Sequence, residues 1–179
     1  DITVQTNLTV HTGSAVDFSA AASVGGSLNV DTTVYGTGGA ITDSTGSVTA
    51  GGTTVLDAGN SDITLDDVSN DFVGQVSASG SNITIVDINS VSLNTISAAT
   101  LQVTSGGAVT DVAGADIAVV GNATFHVASI SLGDNATDST DFGNLTVTST
   151  NAVSISEDSS MLLNAITGST VTLTSETGE

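Results

Sequence analysis

Acidic residues are the only side chains numerous enough in this chain to do chemistry. Asp66-Asp67, Asp134, Asp138, Asp141 and Glu157-Asp158 lie in runs of turn-forming residues. A general acid and base, or a hard cation, could be held there. Two such carboxylates flanking a sugar bond would make a glycoside hydrolase. A polysaccharide lyase would in addition want Lys or Arg, and the chain has neither. Sugar-stacking aromatics are scarce, at one Tyr, four Phe and no Trp. His11 and His126, the only histidines, stand on the polar side of alternating runs, Leu8-Thr9-Val10-His11 and Ala123-Thr124-Phe125-His126. That is the ordinary place for an outward strand residue. No Gly-x-Ser-x-Gly elbow is present. The chain is expected not to be an enzyme.

Calcium is the one cofactor that the oxygen donors favour, held weakly at Asp66, Asp67, Asp134, Asp138 and Asp141. The dedicated calcium motifs, Gly-Gly-x-Gly-x-Asp and the EF-hand loop, are absent. The formal charge is −19 with no Lys or Arg. Nothing in the chain can therefore neutralise a phosphate, which argues against nucleic acid and anionic lipid surfaces as partners. No apolar run approaches the ~18 residues a membrane span needs, so no membrane insertion is expected. Hydrophobic residues reach 39 % and alternate with polar ones, which argues against disorder. With no Cys, the redox compartment cannot be read. Threonine pairs such as Thr146-x-Thr148 fit plain strand propensity better than a dedicated ice-binding face.

Carboxylates need elements to hold them, and those elements are strands. Ile2/Val4, Leu8/Val10, Leu28/Val30, Ile63/Leu65, Ile83/Ile85, Leu101/Val103, Val153/Ile155 and Val171/Leu173 have the period-two pattern of a half-buried strand. Gly-Gly, Asn, Asp and Ser clusters punctuate them. No stretch of ten residues has helical periodicity, so the expected class is all-β.

An internal repeat selects the architecture. Asp71-Phe72 recurs as Asp141-Phe142, Leu93-Asn94-Thr95-Ile96 as Leu163-Asn164-Ala165-Ile166, and Leu101-Gln102-Val103 as Val171-Thr172-Leu173, each offset by 70 (141 − 71). Gly38-Gly39-Ala40-Ile41-Thr42-Asp43 recurs as Gly106-Gly107-Ala108-Val109-Thr110-Asp111, offset by 68 (106 − 38). Residues 1–179 then form one solenoid, with repeats at about 38–105 and 106–175 and a divergent part at 1–37. If an offset of 70 makes three turns, each coil of a parallel β-helix takes about 22–24 residues, giving about eight coils over roughly 38 Å. That spacing would stack Phe72, Leu93 and Val103 in line with Phe142, Leu163 and Leu173.

The phrases Ser105-Gly106-Gly107-Ala108-Val109-Thr110-Asp111, Asp62-Ile63-Thr64-Leu65-Asp66, Asn70-Asp71-Phe72-Val73-Gly74-Gln75-Val76 and Gly143-Asn144-Leu145-Thr146-Val147-Thr148 resemble those of filamentous-haemagglutinin-like exoproteins. These are giant repetitive surface proteins of bacteria. The resemblance implies a right-handed parallel β-helix, an extracellular or cell-surface location, and a role as adhesin, fibre or stalk; it brings no catalytic residues. The expected function is a structural repeat unit of an extracellular filament or adhesin. The chain starts at Asp1, which suits a processed form or a segment of something larger, and neither end reads as a cap. Head-to-tail stacking is therefore expected, with Ser175 to Gly178 meeting Asp1-Ile2-Thr3 of another copy. The alternatives are a module that binds glycans or a host surface and, further off, a polysaccharide-acting β-helix enzyme.

Overall fold

The structure, a computed structural model, describes residues 1–175, which are built from strands, turns and corners without a helix. Every strand pairing among them is parallel. Parallel neighbours cannot be joined by tight hairpins, so the chain must wind round once before each strand meets the next. The result is a β-solenoid, and residues 176–179, with the proposed junction through Gly178, lie outside the described part.

Three faces make up a coil at the start of the molecule. Ile2–Val4, Ala22–Val24, Val48–Ala50 and Asp71–Phe72 stack as the first face. Leu8–His11, Leu28–Asp31 and Thr54–Asp57 begin the second, which continues through parts of longer strands to Thr170–Ser175. The third face runs from Val16–Asp17 through Ile41–Thr42 and Ile63–Leu65 to Leu163–Thr167. On this face the column Val16, Ile41, Ile63, Ile83, Leu101, Ala123, Leu145, Leu163 marks eight coils. Seven steps separate Val16 from Leu163 (163 − 16), an average of about 21 per coil, just under the 22–24 expected.

Alternation turns every second side chain inward, where equivalent residues lie on top of one another. Leu65, Ile85, Val103, Phe125 and Val147 form one such column, and all five are buried. Phe125 meets Phe142 edge to face, with ring centroids 5.8 Å apart. Each aliphatic side chain removed from water contributes about 1.5–3 kcal/mol, which makes these columns the main source of cohesion.

The ladder expected from the echo in the sequence is different in the structure. Three coils on the third face carry Ile83 to Leu145, a shift of only 62 (145 − 83). A shift of 70 therefore makes three coils and takes the chain further round, onto the next face. Phe72 lies beside Ala50, whereas Phe142 lies beside Val119. Leu93 stacks on Val76 and Leu163 on Leu145. Val103 stacks on Ile85, and Leu173 on Ile155.

The first face ends as a ladder at Asp71–Phe72. Beyond it, that side of the coil narrows to a corner, where the N–H groups of Gly107, Ala128, Asn151 and Ser169 each donate to the coil before. The second face gains width in exchange. Register shifts after Leu93 and after Val76 split it into two segments, the latter one carrying Ile96, Ile117 and Thr140. Extra residues after Asp111 and after Leu132 accumulate at this new edge.

Candidate metal centre

Most carboxylates in this molecule hold the backbone. Asp31, Asp57, Asp67 and Asp87 each accept the N–H of the residue two positions on, closing a turn where a strand ends. Asp87 also reaches the neighbouring coil, at Phe72, as do Asp17 at Ser44, Asp62 at Asn82 and Glu157 at Phe142. Hydrogen bonds from Ser44 and Thr42 hold Asp17 below its ordinary pKa, and those from Thr33 do the same for Asp31. An acidic chain without Lys or Arg thus settles much of its charge on amide hydrogens.

Asp43 is the fullest example. It is buried, accepts N–H bonds from Asp66 (2.9 Å) and Asp67 (3.2 Å), and takes a third from the side-chain amide of Asn70 (2.6 Å). The Asn70 oxygen in turn accepts from Val48 N–H. Both carboxylate oxygens and the amide of this corner are engaged.

The sequence-equivalent stretch one repeat later lies on the second face instead of the third and is built differently. Asp111 replaces Asp43 and Asp138 replaces Asn70, both at the offset of 68 (111 − 43, 138 − 70). The turn itself is retained: Asn70 N–H donates to the Asp67 carbonyl, and Asp138 N–H to that of Asn135. An amide donor has been exchanged for a second carboxylate. Asp111 now stands in an inward column, beside Leu93 and in line with Val76, Thr54 and Leu28. Its Oδ2 accepts from Gly133 N–H at 2.7 Å, but Oδ1 is sealed from solvent and meets no donor among the described residues. Gly133 takes φ +67°, a left-handed conformation that suits glycine and starts the loop to Asp138.

Asp134 completes the cluster. One oxygen from each of Asp111, Asp134 and Asp138 lies within 4.8 Å of the other two. Burial, with the charges of Asp138 and Asp134, pushes the Asp111 carboxyl above its ordinary value. Asp138 is lowered instead: burial works against its charge, but N–H donors from Asn135 and Gly114 outweigh it. Asp134 is exposed and accepts from Asn135 and Ser131.

The residues marked from sequence therefore separate. Asp134 and Asp138 come together, with Asp111 as the partner that sequence reasoning missed. Asp66 and Asp67 donate their N–H groups to Asp43, at another corner. Asp141 lies beside Ala118 and accepts from Ser159. His11 is exposed beside Asp31 in the first coils, and His126 is exposed between Thr104 and Thr148 on the third face. A shallow groove of about 320 Å³ runs past His126, Thr148 and Thr150. Phe72 and Phe142 do share one feature across faces: each N–H donates to a buried carboxylate further along the chain, Asp87 and Glu157 at the same separation.

Compared with curated proteins and with solved structures, the chain matches none. It does match, twice in succession, the family described as repeats of unknown function (DUF5649), over residues 5–79 and 80–146. Each match spans a little over three coils, close to the length of the echo in the sequence. Two consecutive copies cover most of the molecule, and the chain belongs to the DUF5649 repeats.

Proposed function

We propose that the chain is a non-enzymatic structural repeat segment of an extracellular filament or giant surface adhesin, stacking along its axis on further coils of the same kind. The observation that carries this reading is the continuous eight-coil ladder, in which side-chain carboxylates are spent on holding one coil to the next. Such an array transmits length and stiffness, and each added coil repeats the same contacts. An anionic surface without Lys or Arg also suits a location away from nucleic acid.

Sedimentation at high concentration, with electron microscopy of the native material, tests the reading. Filaments or axial oligomers are the expected outcome. Compact monomers alone at all concentrations would count against it. A glycan-binding adhesin module is the second reading, favoured by the groove beside His126, and binding to a glycan array that is lost on filling it with Thr148→Trp is its test.

A further inference from the structure

We propose that Asp87 and Glu157 end two faces of the solenoid: each carboxylate replaces a backbone carbonyl as acceptor for the last N–H of a closing ladder, so that the chain can leave that face. The inference is independent of the filament reading. Two ladders stop inside the molecule. The first face stops at Asp71–Phe72 and the latter segment of the second at Thr140 to Phe142, and no strand among the described residues pairs beyond either. The next coil starts a rung over each. Ile88 N–H donates to the Asn70 carbonyl and Asp158 N–H to that of Thr140, both at 2.9 Å and both across 18 residues (88 − 70, 158 − 140).

Bonds in a parallel pair are evenly spaced and reach alternately back and forth, so the rung would continue from Phe72 N–H to the Ile88 carbonyl, and from Phe142 N–H to that of Asp158. Both N–H groups turn to a carboxylate instead. Phe72 N–H donates to Asp87 Oδ2 at 2.7 Å, and Phe142 N–H to Glu157 Oε1 at 2.8 Å. A third contact recurs with them: Asn89 donates to Asp71 and Ser159 to Asp141, again 18 residues apart (89 − 71, 159 − 141). Both phenylalanines are 1 % exposed, so neither N–H can turn to water once its ladder stops. A buried N–H without an acceptor is costly. The side chain just before the departing residue can stay behind when the carbonyl leaves with the turn. Asp87 does more, since its Oδ1 accepts Asn89 N–H and bends the chain away. The two endings are 70 residues apart (157 − 87), the offset of the echo in the sequence, and stand on different faces.

Amide NMR of the folded chain, through a pH titration and by proton exchange, tests the role. In the wild type the amide shifts of Phe72 and Phe142 should follow the titration of Asp87 and Glu157 across the hydrogen bonds. Glu157→Met keeps the length of the side chain and removes the acceptor, so Phe142 N–H should exchange at least about tenfold faster. Ala128 N–H, which donates to the Gly107 carbonyl, should keep its rate in that variant. Glu157→Gln retains an acceptor and should leave Phe142 protected. The titration needs no variant, so it decides even where Glu157→Met does not fold. Amide shifts of Phe72 and Phe142 that ignore both carboxyls would overturn the role. So would exchange at Phe142 that is unchanged in Glu157→Met, or that rises there no more than at Ala128, the behaviour of a buried acid that only packs near the turn.

Discussion

At the scale of single residues, what distinguishes this molecule is polar atoms set in columns meant for aliphatic ones. Glu157 is fully buried, its Oε1 accepts from Phe142 N–H and Ser159, and its Oε2 has no partner among the described residues. Burial, then the charges of Asp141 and Asp158, push its carboxyl above the ordinary 4.5. The folded chain therefore holds this proton more tightly than the unfolded one. Stability from that proton is fully present below 4.5 and is lost as pH rises through the raised folded value. Glu157→Gln should raise the melting temperature at pH 7 and leave it unchanged at pH 4; the same difference at both pH values would refute this. Asp87, at the equivalent place and also raised by burial, has both oxygens engaged by Phe72 and Asn89 N–H, so Asp87→Asn should destabilise instead. Thr54 and Thr140 present a different case, buried hydroxyls without partners in columns with Leu28 and Ile117. Thr54→Val and Thr140→Val keep the shape and remove the unsatisfied group, for a gain of about 1 kcal/mol each in denaturant unfolding. Of the carboxylate cluster, Asp134 and Asp138 were legible because they flank a short run of turn-forming residues. Asp111 was not, since it sits in a strand of the preceding coil and is brought near Asp134 only by winding.

Elements here are too short to stand alone, and their position is fixed by what lies one coil away. The Gly-Gly corners show this directly. Gly51 N–H donates to Val24 at 2.9 Å, and a Cβ at Gly51 would lie 2.6 Å from the carbonyl oxygen of Gly25. Gly51→Ala must therefore open the corner, at about 1–3 kcal/mol, read as a lower midpoint in urea. If alanine is tolerated there without change, close backbone approach is not what the glycine provides. The strands were legible in the sequence because alternation and burial share one period: Ile83, Ile85, Leu101 and Val103 face inward as their spacing requires. The stacking order was not legible. An offset of 70 (141 − 71) divides as readily into three coils as into three and a third. Only the register of the strands shows that coils differ in length: Ile83 pairs with Leu101 (101 − 83), but Leu101 pairs with Ala123, a longer step (123 − 101). Corners absorb those differences, so the echo in sequence preserves local contacts such as Phe72 with Asp87 while turning them to another face.

For the whole molecule the governing quantity is a charge of −19 distributed along a rod without a single Lys or Arg. Ordinary parallel ladders can alternate acid and base from rung to rung; this one can only space its acids, screen them or bind cations. Asp31 and Asp57 are direct neighbours on adjacent coils, and two charges at the rung spacing of about 4.8 Å repel by roughly 1 kcal/mol in water. Hydrogen bonds to the backbone fix where each charge sits but do not cancel it. Mobile ions must do the rest. Raising sodium chloride from about 0.01 M to 1 M shortens the screening length from about 30 Å to about 3 Å, below the rung spacing. With chelator present, the melting temperature should therefore rise by at least about 5 °C over that range. Most of the rise should come once the screening length falls to the distance between neighbouring coils, because repulsion along a stack adds up one contact at a time. A melting temperature that is flat in salt would mean that the coils are spaced and hydrated well enough for their charges to be independent, and that the cohesion of the rod owes nothing to its counterions.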